Sequence, residues 1–451
     1  MIPAILKLMK PKTIGALLAT FVLGSLFWDC NPAKAQVPAS VAGNSGEFET
    51  TSMATNHPAP LDFHFDATIS RKVLENYLSR SISFNELLHD DLTQPRNRRG
   101  EDPRDNIRLL RDSRAKFVGR SLMLWGHEEN FARFLKTALP YANLLHRADP
   151  DLILQAAVFE IVTRNVDRLS VPERVLAEFG QPVTNRTFHY DDMLYADGHF
   201  ANHWGNGSSV PDMSRLETRM WFYFLATSYV DTGIEAIHFG QVGLMDNHDP
   251  HHAGWLDMLG RVRAYAHQHA RRHLLLCDAH TPTGGYVEDG RLLFDFHSFP
   301  LRIVGVTNEP YKGILEVGYA DSIFRRSKGG LTPSGWSCDH LPYLVEFDNF
   351  GSNHPGKPSH SPYIWGWDEI TWFALMPEAK RNAWLRYAWK WLKDTDPDGH
   401  LEMPGSRILS TENHEGPGWY WANTRSDACP GGSNTEGSIR ELWGTASYIN
   451  Q

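Results

Sequence analysis

Cysteine is scarce, with four in 451 residues, too few and too scattered for a zinc-finger-type cluster. The chain also lacks a nucleotide-binding glycine fingerprint, a G-x-S-x-G elbow and an H-E-x-x-H pair. Those absences set aside dinucleotide binding, the serine-hydrolase turn and the helical zinc protease as first readings. Positive charge is in deficit too, 44 Lys and Arg against 53 Asp and Glu. An acidic chain is a poor partner for nucleic acid or anionic membranes.

One long apolar run stands at the start. Lys7, Lys10 and Lys12 precede Ile14–Trp28, and Ala33-Lys34-Ala35 then supplies small residues. This is the layout of a signal peptide, with cleavage expected before Gln36. The run falls short of the roughly 20 residues needed to span a bilayer. Residues 1–35 therefore predict export to the periplasm or beyond, with no membrane attachment after cleavage. Four of the 44 basic and one of the 53 acidic residues leave with the signal, so the mature chain carries 40 against 52, a formal net charge of −12. Residues 36–60, rich in Ser, Thr, Ala, Pro and Asn, predict a flexible leader. Cys277, Cys338 and Cys429 remain, and export permits a disulfide. Cys277 sits inside an apolar strand pattern, which leaves Cys338–Cys429 as the expected pair.

From residue 61 onward a strand-then-helix rhythm appears. Apolar or β-branched runs lie at 76–83, 116–125, 152–161, 234–244, 273–280, 291–299, 343–349 and 363–367. Helical patterns separate many of them: 106–114 behind Asp105, 129–145, 215–230 behind a Ser214/Glu217 capping box, 253–271 and 378–393. In the fourth of these, Trp255, Leu259, Val262 and Ala266 keep the spacing of one buried stripe. Near-continuous apolar strands alternating with helices imply a parallel sheet buried on both faces. Eight such strands predict an α/β fold, a (β/α)8 TIM-type barrel with long βα loops. It spans residues 61–451 as one domain with an aromatic-rich C-terminal extension.

The ends of these runs carry the chemistry. Residues i and i+2 of a strand share a face. The fifth run ends Cys277-Asp278-Ala279-His280, the sixth Phe294-Asp295-Phe296-His297, and the seventh Val345-Glu346-Phe347-Asp348. Glu160 ends the third, Gln241 lies in the fourth, and Asp368-Glu369 follow the eighth. One acidic strand end is ordinarily a helix cap or a salt bridge; six in succession point to a barrel mouth, where catalytic groups gather. Trp125, Phe299, Phe350, Trp365 and Trp367 lie at or beyond strand ends, and Trp419-Tyr420-Trp421 follows later. Such flat rings suit the C–H faces of sugars, although many rings are simply core. The long connections 162–214, with Trp204, and 325–340 are candidate walls of that mouth. Asp394-Thr395-Asp396-Pro397-Asp398-Gly399 matches half a calcium loop, but its twelfth position is Gly405, so a polar turn is expected there.

Acidic ends on several strands, flanking aromatics and an export signal resemble a glycoside-hydrolase-type barrel over residues 61–410. The resemblance implies hydrolysis of glycosidic bonds by paired carboxylates, a carbohydrate partner and no required cofactor. In many retaining barrels of this type the acid/base follows strand four and the nucleophile strand seven. Glu346 or Asp348 matches the second position. Gln241 stands where the first is expected, so Glu160 or Asp278 must supply the proton. Asp295, His297, Gln241, His280, Asp368, Glu369, Trp125 and Trp367 are the expected substrate-binding residues. Two alternatives stay open. One is a metal-dependent hydrolase using the Asp-x-His strand ends with Glu346, Asp348 or Asp368. The other is a glycan-binding barrel without catalysis.

Overall fold

The computed structural model describes residues 61–281, 283–359, 361–410 and 418–444. The expected signal (1–35) and leader (36–60) lie outside the described residues. No helix among the described residues is long and apolar enough to cross a membrane.

The strands that matter for the site are β1 (Ser81–Phe84), β2 (Phe117–Leu124), β3 (Ile153–Val158), β4 (Ala236–Gln241), β5 (Leu276–His280), β6 (His297–Pro300), β7 (Tyr343–Glu346), β8 (Gly399–Leu401), β9 (Met403–Ile408) and β10 (Trp419–Trp421). They form a seven-stranded sheet, ordered β10-β9-β1-β2-β3-β4-β5, and a three-stranded sheet, β6-β7-β8. All pairings are parallel except β9 with β10. These ladders do not make the single closed ring of eight strands that the sequence predicts. Two main-chain hydrogen bonds nevertheless run between the sheets. The Asp295 amide donates to the Cys277 carbonyl at 2.8 Å, and the Glu402 amide to that of Val345 at 2.9 Å.

Helices α1 (Arg71–Leu78), α2 (Pro103–Ser113), α3 (Phe131–Ala148), α4 (Leu216–Val230), α5 (Ala253–His269), α6 (Glu369–Leu375), α7 (Glu378–Thr395) and α8 (Glu436–Leu442) accompany the strands. The stripe of α5 behaves as its period demands: Trp255, Leu259, Val262 and Ala266 are all buried in the main core. Asp102, not Asp105, caps α2, because Pro103 takes the first helical position and Asp105 turns to Arg108 instead. The capping box of α4 is not made. Glu217 accepts from both Nη atoms of Arg186 and from the His189 amide, and these charge-assisted bonds displace the weaker local one.

Three strand expectations are corrected. The run 76–83 is helical until Leu78, since Ser70 accepts from the Val73 amide and starts α1. The run 291–299 splits into a two-residue strand, Arg291–Leu292, and β6, with Asp295 between them. Residues 363–367 form a turn closed by an Ile364–Trp367 bridge. The eighth parallel position belongs to 399–408, where Pro404 and Gly405 disguise the strand. Cys338 and Cys429 are each free, so the expected disulfide is not formed. The half-calcium loop is a polar turn: Asp396 accepts from Tyr343 and the Arg325 amide, while Asp398 pairs with Arg71.

Candidate functional site

Two irregularities in the ladders shape the site. Between β2 and β3 the register passes from Val118↔Leu154 to Leu122↔Ala156, so Gly119, Arg120 and Ser121 face Gln155 alone. Arg120 is left-handed there, with φ 54°, a conformation that L residues adopt only where the surroundings enforce it. Between β4 and β5 the register passes from His238↔Asp278 to Gln241↔His280, which leaves Gly240 in a bulge at φ 58°. A Cβ at Gly240 would lie 2.1 Å from Oε2 of Glu160. The missing side chain lets the Gln241 amide and its Nε2 both donate to the Glu160 carboxylate, each at 2.9 Å.

At the C-terminal ends of these strands is a cavity of ≈ 450 Å³. Glu160 and Asp348 are its carboxylates, Arg120 and Arg407 its cations, and Asn85, His238, Gln241, His280 and Asn349 its other polar groups. Trp125, Phe159, Trp204 and Phe350 supply rings. Trp125 lies edge-on to Phe159 at 5.4 Å and to Trp204 at 5.0 Å. Trp204 arrives from the long connection 162–214 and is anchored by Nε1 donating to the Glu160 carbonyl. The other long connection, 325–340, contributes nothing to this cavity.

Glu346 lies behind the lining. It is 2% exposed and forms ion pairs with Arg120 and, at 2.7 Å, with His280 Nε2; Arg407 is 3.7 Å away. Burial opposes its charge, yet Arg120, His280 and Arg407 together hold its carboxyl well below the usual range. Burial likewise opposes the charge of Arg120, and Glu346, Asp348 and Glu402 outweigh it and push that pKa up. Glu402, at the joint between β8 and β9, is pushed up to about 7 by burial and by the charge of Glu346. Asp278 is fully buried and accepts from Gln155, His238 Nδ1 and Ser298. That leaves Nε2 of His238 buried without a partner. His238, His280 and Glu346 bring one ligand atom each to within 4.8 Å of the others.

The remaining sequence candidates lie elsewhere. Asp295 is turned toward α5, where Arg263 meets it at 3.0 Å, and His297 toward Ser327. Asp368 caps α6 and accepts from Thr371 and Ser410, while Glu369 holds Arg302 and the Asp348 amide. Trp367 pairs with Ser352 and Ile364 in a turn. None of these five lines the cavity. Sequence reasoning missed Arg120, His238, Arg407 and Asn85. An arginine after glycine inside an apolar run was a usable cue for Arg120. Arg407 was hidden with its strand.

No family model matches this chain, and no curated protein matches it in sequence. Among solved structures, the Nostoc punctiforme debranching enzyme in its native form is 12% identical, with TM-score 0.43 over 83% of this chain and 81% of that one. The acarbose-soaked form is 10% identical, with TM-score 0.40 over 83% and 82%. Arthrobacter globiformis T6 isomalto-dextranase complexed with panose is 12% identical, with TM-score 0.34 over 72% and 58%. Likenesses this distant assign neither fold nor function to the chain.

Proposed function

We propose that this chain is an exported, (β/α)8-type glycosidase that cleaves glycosidic bonds between two carboxyl groups in the ≈ 450 Å³ cavity. The observation that carries this reading is the lining itself, with Glu160 and Asp348 facing one space walled by Trp125, Phe159 and Trp204. For the barrel, the support is the seam at Glu402. That one residue separates β8, which pairs with β7, from β9, which pairs with β1. A single chain segment thereby serves both sheets.

Asp348 is the nucleophile or base, with Arg120 Nη1 3.9 Å away. Glu160, gripped by Gln241, is the proton donor. Glu346 acts through Arg120 and His280 as a positioning residue, and Asp278 acts through His238. An oxocarbenium-like centre between the two lining carboxyls gains from both.

The test is release of reducing sugar from a glycan panel by the chain without its signal, with and without EDTA. Asp348→Asn and Glu160→Gln should each cut kcat/KM by about a hundredfold or more with the fold intact. Near-normal turnover in both variants would sink the assignment. One observation favours a metal-assisted hydrolase instead. Asp278 takes Nδ1 of His238 and leaves Nε2 free beside His280 and Glu346, which is how carboxylates orient metal-binding imidazoles. EDTA-sensitive turnover restored by a divalent cation would select that reading. Binding without turnover would select a glycan-binding barrel.

A further inference from the structure

We infer that the substrate is a chain of sugars whose leaving part stacks on Trp125, outside the cavity proper; the inference rests on the glycan reading above. Trp125 lines the cavity and yet is 43% exposed, so its ring runs from the cavity wall out to solvent. Tryptophan is a highly buried residue on average, and an open indole at the rim of a polar cavity marks a contact surface. The ring is held in place from one side. Phe159 meets it at 5.4 Å and 62°, and Trp204 at 5.0 Å and 70°, so neither partner lies flat on the indole. Phe159 is itself buried, and Trp204 is fixed by Nε1 donating to the Glu160 carbonyl at 2.8 Å. Gly126 then turns the chain at φ 67°, where a Cβ would lie 3.0 Å from Thr163 Cγ2. A ring set this firmly loses little freedom when a ligand stacks on it.

The neighbours of the ring say which part of the substrate it meets. Phe159 precedes Glu160 in the chain, and Trp204 is bonded to the Glu160 carbonyl. The platform therefore belongs to the Glu160 side of the cavity, whereas Asp348 stands beyond β7 with Phe350. With Glu160 as proton donor, the leaving oxygen lies beside that carboxyl, and whatever departs with the oxygen lies on the same side. An apolar occupant does not suit the place, since Glu160, Asp348 and Arg120 line the same cavity. A pyranose does, with a C–H face for the indole and hydroxyls for the water around its exposed part. The sugar in the cavity and the sugar on Trp125 are then two neighbours in one chain.

The experiment is isothermal titration of the chain without its signal, using cellohexaose, laminarihexaose, maltohexaose and xylohexaose beside glucose and xylose. At least one hexaose should bind about tenfold or more tighter than its own monosaccharide. Trp125→Ala should reduce that ratio to about threefold or less, and Trp125→Phe should keep most of it. The side chain is exposed enough that neither change threatens the fold. Equal affinities of hexaose and monosaccharide, a ratio that survives Trp125→Ala, or no binding of any hexaose would overturn the inference. Turnover reports the side of the bond. In Trp125→Ala, kcat/KM on the hexaose should fall about tenfold further than on the matching glycosyl fluoride, which has no leaving sugar. Equal falls would overturn the leaving-side placement. Because binding is read without turnover, the two readings fail separately. Chain-length dependence without hydrolysis keeps the platform and removes the glycosidase; hydrolysis without chain-length dependence does the reverse.

Discussion

Arg120 unites the strained backbone and the buried charge of this protein. Its left-handed φ of 54° aims the guanidinium at Glu346 and toward Asp348. A buried ion pair adds little by itself, but removing one partner strands the other. Glu346→Gln takes the shared carboxylate from Arg120 and lets His280 lose its charged acceptor. Urea unfolding should show a loss of about 3 kcal/mol; an unchanged midpoint would mean that the cluster is not held by its charges. At this scale the sequence was partly legible. Glu160, Asp348, Gln241, His280 and Trp125 were visible as polar or aromatic ends of apolar runs, and the structure brings them to one cavity. Asp295 and His297 shared that pattern, but residue alternation does not reveal which face points inward. Arg263 on α5 takes Asp295 on the outer side.

Among the elements, the bulge at Gly240 is the most exacting. It exists because β4 has one residue more than β5 between two paired positions. Gly240→Ala would place its Cβ 2.1 Å from Glu160 Oε2 and would also need φ 58° in an L residue. Turnover should fall by about a hundredfold or more, as for loss of Glu160 itself, while the far-ultraviolet spectrum stays native. Normal turnover would show that the Gln241 grip is dispensable. Strands buried on both faces, such as β2 and β3, could be read from sequence because burial writes a continuous apolar run. Residues 399–408 could not. Pro404 and Gly405 are poor strand formers, tolerated here where the ladder to β1 is itself irregular at Ser83/Phe84.

For the molecule as a whole, proton uptake follows from buried acids with raised pKa values, among them Asp368, Glu369 and Glu402. Burial lifts Asp368 to about 6, and burial with Glu346 lifts Glu402 to about 7. Each binds its proton more tightly folded than unfolded, so its stabilising effect is complete below about pH 4 and is lost as pH rises through 6 to 7. Burial of His89, His146, His297 and His400 lowers their pKa values and acts in the opposite direction over the same window, so the acids are read by difference between variants. Relative to the unaltered chain, Asp368→Asn should remove a stabilising contribution that is lost between about pH 4 and 6, worth about 2–3 kcal/mol; an unchanged dependence of Tm on pH would remove Asp368 from the account. The alternation of strands and helices was legible at this scale over residues 116–280, but the first and last strands and the way the ladders join were not. The joints rest on single main-chain contacts at Asp295 and Glu402. One such joint reaches further than the site. β1 lies against β9, and Arg80, just before β1, sits 5.6 Å over the ring of Trp443, just past α8. Arg80 follows α1 and Trp443 follows α8, so this contact ties the first of the helices named above to the last, and Arg80→Ala should make the segment around α8 easier to cleave by protease.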